Sequence, residues 1–239
     1  MEVESEIIVE KLEVEKPLLI TSFPGIGLVG TIASGHMILE LKLEQVGVLE
    51  SRYLPPVATL YEGIVMPPIR VYEHKDYNFV LIHSDIPVVP QLSYDISAAI
   101  LDWAQEINAS RILTLAGIAT FEESKRVFGA ATKKELLEEI KNYVEIFRMG
   151  TISGVAGSIL VECVARNVDG IALLGETVGF NPDPRAAAEV IRVMNKLFDW
   201  DISVERLEKE AEMIEAQMQK LAEQTKAHEL KKEELPMYG

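Results

Sequence analysis

Three glycines carry the first chemical suggestion in this chain. Gly25, Gly27 and Gly30, in the stretch FPGIGLVG, spell Gly-x-Gly-x-x-Gly between an apolar run, PLLITS, and a helical pattern. At a strand-to-helix turn this spacing lets backbone N–H groups approach a pyrophosphate, while an acid ending the next strand takes the ribose hydroxyls. Glu50 ends the next apolar run, QVGVLE, at about the required distance. The stretch therefore reads either as a nucleotide-dependent enzyme's turn or as a turn whose glycines serve only the fold.

The remaining reactive residues do not join it. His83, Ser84 and Asp85 are consecutive, but neighbouring strand residues point to opposite faces, so this run cannot form a catalytic relay. His36 falls within the first helical pattern and His74 beside a charged turn, neither with a ligand at i+4, so no metal motif is present. Cys163, between Glu162 and Val164 on a helical pattern, reads as a small buried hydrophobe. The stretch LAGIATFEESKRVFGAAT contains Gly129 and an acid–base cluster after a strand. Gly154 and Gly157 permit a second tight turn into a helix, Ser93 reads as a helix cap, and Asp183-Pro184 as an N-cap followed by a first-turn proline. No catalytic, cofactor-binding or metal residue is assigned, and the expected reading is that the chain is not an enzyme and uses no cofactor.

The elements that would position these residues follow from periodicity. Short apolar runs alternate with amphipathic stretches, the pattern of an α/β protein with a single sheet flanked by helices. Strands are expected at 6–12, 18–22, 45–50, 69–72, 79–84, 111–116 and 171–174, and helices at 27–41, 93–107, 133–143, 157–167 and 184–198. The segment 52–68 holds four prolines and no helical period, and is expected to be an irregular loop or a short hairpin. Of 239 residues, 48% are hydrophobic and 26% charged, ordinary for a globular domain, and one domain is expected to span residues 1–200. The net charge of −15 disfavours nucleic acid and anionic membranes as partners. The single cysteine excludes an intrachain disulfide. The acidic, alternating first residues are unlike a signal peptide, no apolar run reaches a membrane-span length, and a cytoplasmic protein is expected. Abundant Glu, Ile and Val with little Asn, Gln and Cys leans toward a thermophilic source.

Residues 201–239 differ in kind. Val204, Leu207, Ala211, Ile214, Met218 and Leu221 follow the 3–4 spacing of a coiled-coil seam. Glu208, Glu210 and Glu215 at flanking positions would set like charges together in a parallel pair. Two readings stand: a helix lying against its own domain, and a projecting helix through which copies associate. Pro236 then stops the helix, and Met237-Tyr238-Gly239 ends the chain. Such an end presents an apolar side chain, an aromatic hydroxyl and a carboxylate together to a partner's pocket.

The segments FPGIGLVGTIASGHMI, LPPVATLYEGIVMPPIRVY, ISGVAGSILVE and NPDPRAAAEVI occur in an order and spacing that resemble the archaeal homologues of the proteasome assembly chaperones, the family of the second eukaryotic assembly-chaperone subunit. The resemblance covers about residues 6–207. It implies a phosphorylase- or hydrolase-like α/β sheet without established catalysis, and a C-terminal helical extension. It also implies a homo-oligomer, tetramer or pentamer, whose Tyr238 and Gly239 carboxylate dock on the proteasome α-ring or core particle. Another assembly factor is a further partner it suggests. On this reading Gly25, Gly27 and Gly30 form a structural turn. The competing expectations are an oligomeric scaffold for another protein with the tail unused, and a nucleotide-dependent enzyme using the glycine turn.

Overall fold

A computed structural model describes residues 5–214 and 216, apart from 121, 123 and 180. Along the described chain the strands are β1 (Ser5–Val9), β2 (Leu18–Ser22), β3 (Glu44–Ser51), β4 (Thr59–Tyr61), β5 (Ile64–Met66), β6 (Ile69–His74), β7 (Phe79–Ser84), β8 (Arg111–Ala119), β9 (Val127–Ala131), β10 (Glu145–Ile146) and β11 (Gly170–Thr177). The helices are α1 (Val29–Glu40), α2 (Ser93–Glu106), α3 (Lys134–Ile140), α4 (Gly154–Arg166) and α5 (Pro184–Phe198). A further helix, α6, covers residues 205–214.

Nine strands form one mixed sheet in the order β1-β3-β6-β7-β2-β8-β11-β9-β10. β2 is parallel to both β7 and β8, and β8 is parallel to β11. Such strands must be covered on both faces, which is why LLITS is apolar without alternation and buried at every position. Leu18 and Ile20 face one layer with Val29, Ala33 and Met37 of α1 and the Ala186–Ala188 run of α5. Leu19 faces the other, with Ile96 and Ile100 of α2 and Ile159 and Cys163 of α4. The two helices of the second layer are joined by a buried hydroxyl pair, Ser97 and Ser158, at 2.6 Å.

The expected α/β sheet flanked by helices is the observed class, and β2, β7 and α5 have the expected bounds. The differences have local causes. Gly27 and Leu28 have φ of +63° and +49°, so residues 26–28 make a single 3-10 turn and α1 begins only at Val29. Ser93 is not a cap: it lies inside α2, buried, with its hydroxyl donating to the Val89 carbonyl. Asp183 does cap α5, its Oδ1 accepting from Ala186 N at 3.0 Å. Strands β9 and β10 were not expected, being short, glycine-bearing in one case and two residues long in the other. The proline-rich segment forms a hairpin, β4 with β5, outside the main sheet.

The glycines of the first turn are unequal. A Cβ on Gly30 would lie 2.2 Å from the carbonyl oxygen of Leu115, so α1 rests directly on the backbone of β8. A Cβ on Gly25, whose φ is −150°, would have its nearest neighbour at 4.0 Å. Gly30→Ala is therefore expected to lose about 3 kcal/mol or more, because neither helix nor strand backbone can yield cheaply. Gly25→Ala should change stability by less than about 0.5 kcal/mol. Urea unfolding of the two variants measures this, and equal midpoints would refute the close approach as the reason for Gly30.

Candidate functional site

The parallel strands all end at one side of the sheet, where the glycine turn, the chain after β7, the β8–β9 connection and the start of α5 come together. Gly27 has the left-handed conformation that favours glycine, and its carbonyl accepts from Asp183 N at 2.9 Å. The space beside its Cα is filled: a Cβ there would meet the Thr177 methyl at 2.8 Å. A pyrophosphate would need that close approach for itself. A cleft of about 240 Å³ does open next to the turn, between Phe23–Ile26, Ala116–Ile118 and Thr151–Ala156, but no charged side chain lines it. Glu50 is exposed on β3, with β6 and β7 between it and β2. Three strand spacings, about 14 Å, separate the two strands, too far for the carboxylate's proposed ribose role.

A second group lies under α1. His83 and Asp85 are two residues apart and so share a face, and His83 Nε2 is 3.0 Å from Asp85 Oδ1. On the other side of the ring, His83 Nδ1 is 2.7 Å from Ser34 Oγ, itself 2.9 Å from Ser22 Oγ. With the carboxylate accepting, Nε2 carries a proton toward Asp85. The sequence reading rejected Ser84, which indeed turns away to the Ile86 carbonyl, but it missed Ser34 from the facing helix. This is the order of a serine-histidine-aspartate relay. Ser34 is nevertheless wholly buried, so no carbonyl carbon can reach its Oγ. The group joins α1 to β7 instead. Asp85 is also held by Arg70, through Nη1 at 2.5 Å and Nη2 at 3.1 Å, while Arg70 Nε donates to Tyr72. Burial alone would push the Asp85 carboxyl up, but the hydrogen bonds from His83 and Arg70 outweigh it and hold it far below the usual range.

The acid–base cluster noted after β8 closes around a third carboxylate. Glu176, fully buried on β11, accepts from Thr120 at 2.7 Å, from Ser124 at 2.8 Å, and from Arg126 through N, Nε and Nη2. Neighbouring Lys125 reaches Asp183 at 2.6 Å. Each polar atom is thus turned toward another part of the same chain, and the cluster ties the β8–β9 connection to β11 and α5. Among the described residues no group of three or more His, Cys, Asp or Glu is placed to hold a metal ion. Cys163 is buried, as expected, and burial pushes its thiol up to about 12.

The seam residues divide. Leu207 and Ala211 are buried against α5 and its layer, and Val204 and Ile214 are half-buried. His36 Nε2 meets the Ser203 carbonyl at 2.6 Å, and Asn195 pairs with both N–H and C=O of Ile202. This half of the seam therefore lies against its own domain, and the domain's packing continues past residue 200. Ile214 and Ala211 line a cleft of about 290 Å³ with Pro182–Arg185. Met218, Leu221, Met237, Tyr238 and Gly239 lie outside the described residues.

Acid should act through the closed networks. The Arg126 hydrogen bond above all holds Glu176 down to about 2 from an ordinary 4.5. A depressed carboxyl stabilises the fold fully above its unfolded value and loses that contribution as pH falls through the folded one. Stability should therefore fall between about pH 4.5 and 2, with Asp85 and Asp183 adding to the fall. Glu176→Gln is expected to be less stable at neutral pH and to show a shallower acid loss. Urea midpoints across this range test it, and parallel curves for the two proteins would contradict it.

No helix among the described residues is long and apolar enough to cross a membrane. Residues 19–222 match the PAC2 family. An uncharacterized protein of Methanocaldococcus jannaschii is 41% identical over 229 residues, 95% of each chain. Among solved structures, PbaA of Pyrococcus furiosus, described as an archaeal homolog of proteasome-assembly chaperone, is 36% identical with a TM-score of 0.84, over 95% of this chain and 96% of that one. PbaB of the same organism, described as an archaeal proteasome activator, is 28% identical with a TM-score of 0.82, over 92% and 99%. The glycine turn, the hairpin and the capped α5 lie within a match of this extent, and the chain belongs to the PAC2 family.

Proposed function

We propose that this chain is a proteasome-associated chaperone or ATP-independent activator, acting in the cytoplasm without catalysis of its own. The observation that carries the reading is its near-full-length likeness to PbaA, a proteasome-assembly chaperone homologue, with that to PbaB, a proteasome activator, beside it. The polar groups at the strand ends support it in a second way. Ser34, His83, Asp85 and Glu176 are committed to partners within the fold, which supports a binding role over an open reactive centre there.

The docking element in this proposal is Met237-Tyr238-Gly239. The Tyr238 ring would be buried in a pocket between α-ring subunits with its hydroxyl hydrogen-bonded, and the Gly239 carboxylate would meet a cation there. A single short tail binds weakly. Copies joined in one particle present several tails to a ring of pockets, and the effective concentration makes the sum useful. The later seam positions, Met218 and Leu221, are the part of the 3–4 pattern that this proposal assigns to such an assembly.

Tyr238→Ala should leave stability within about 0.5 kcal/mol, as for a surface change. In a pocket the same ring is an anchor, and its loss typically costs about 2 kcal/mol or more per tail. The variant should therefore fail to co-sediment with archaeal core particles that retain the wild-type protein. One residue added after Gly239 should do the same by displacing the carboxylate. If all three proteins bind alike, the tail does not dock; if none binds, the scaffold for a different protein becomes the better account.

A further inference from the structure

We propose that the cleft beside the glycine turn binds a small uncharged molecule with an apolar body and an amide group, held by the free backbone edge of β8. This goes beyond the proteasome reading and does not depend on it.

The cleft's place in the sheet is the first argument. β2 and β8 are parallel neighbours. From β2 the chain passes through α1 to β3 on one side of the sheet, and from β8 it goes on to β9 and β11 on the other. Where the connections of two parallel neighbours part in this way, a crevice is left at their carboxyl ends, the usual ligand position in open α/β sheets. The cleft lies in that crevice: residues 23–26 follow β2, and residues 116–118 belong to the last part of β8.

Its walls set the chemistry of the occupant. β2 stops pairing with β8 at Ser22, opposite Leu115, whereas β8 continues along β11 to Ala119. Past Leu115 the β2-side edge of β8 therefore has no neighbouring strand. Ala116, Gly117 and Ile118 are half-buried there, while residues 112–115 are buried. Such an edge presents N–H donors and C=O acceptors together. An amide carries one of each without a charge, so it can pair as a further strand would. Around this edge Phe23, Ile152, Val155 and Leu174 supply apolar surface, and Thr151 and Ser153 supply two hydroxyls.

Charge narrows the class further. Although 26% of the chain is charged, no charged side chain lines the cleft. An ion enclosed there would lose water without gaining a counter-charge, and the net charge of −15 opposes an anion in particular. The start of α4, where Ser153 makes no side-chain cap, pulls the other way, because a helix N-terminus favours anions. Size agrees with a small ligand. The cleft's volume of about 240 Å³ exceeds the about 150 Å³ that admits benzene to a protein interior, which leaves room for a ring and one amide.

The test uses the full chain and probes of one shape: benzamide, benzoate and benzylamine, which near neutral pH are uncharged, anionic and cationic. Benzamide should move the amide NMR signals of residues 116–118 and 151–156, with a dissociation constant on the order of a few millimolar for a ligand of its size. Benzoate and benzylamine should bind about tenfold more weakly or worse. Ala156→Leu fills the cleft from a half-buried helical position, so it should keep its melting temperature within a few degrees and weaken benzamide binding about tenfold or more. Thr151→Leu, on an exposed lining residue outside any helix or strand, is the second filling variant should the first not fold. No signal moving in about 20 mM benzamide would overturn the proposal, since even a weak ligand of this size is visible there. Benzoate binding as well as benzamide, or a folded filling variant that binds benzamide like wild type, would overturn it equally.

Discussion

The contact between α1 and β8 is the constraint on which the rest depends. Gly30 places the helix against the Leu115 carbonyl, and Gly117 in turn receives the Ile26 carbonyl, where a Cβ would stand 2.1 Å away. Backbone meets backbone from both sides, so no side chain can act as a spacer. With α1 held so low, β2 is sealed between layers, and Ser34 comes within reach of His83 across a face that is otherwise apolar. The same descent brings the Gly27 carbonyl to Asp183 N, and with it the start of α5. One close approach thus fixes two helices and one polar network.

Those networks explain why the strand ends carry the residue types of an active site while their polar atoms are engaged within the fold. A buried carboxylate needs partners because water is gone, and an incomplete set would leave a desolvated charge. Glu176 has five donors, and Asp85 is held by His83 and by the Arg70 guanidinium. Catalysis requires a group left unsatisfied until substrate arrives, or a proton with somewhere to go. Here each donor already has its acceptor within the fold. What they do is join elements distant in sequence: β7 to α1, the β8–β9 connection to β11, and Lys125 to the cap of α5.

Legibility in the sequence followed the reach of the interaction. β2 and β7 were bounded correctly because a strand buried on both faces is a continuous apolar run between polar stops. α5 was legible from Asp183-Pro184 at its start and its apolar stripe. The start of α1 was not, because Leu28 takes a left-handed φ that only the close glycine turn imposes. β9 was hidden by Gly129, whose missing side chain makes room for Val144 and Ile140 from a later segment. The sharpest miss was Ser34. The His83–Asp85 spacing on one face was visible, but a partner from a helix 49 residues earlier appears only when strand order and helix layer are known. The hairpin was foreseen as an option, though the exposure of its Leu60, Tyr61, Ile64 and Val65 was not, since exposure is a property of what the rest of the chain fails to cover.

The hairpin and the described end of α6 belong to one end of the molecule. β6 begins at Ile69, paired with Ser84 at the end of β7, and β2 ends beside His83, so the hairpin stands where the parallel strands finish. α5 starts at that end and runs away from it. α6 returns, because Ser203 contacts His36 midway down α1, whereas Ile214 has come back beside Pro182 and Arg185. Leu207 and Ala211, the seam positions that seemed made for another copy, are what hold α6 to this return path. Their burial is what returns the described chain, at Ile214, to the end of the sheet that carries the hairpin.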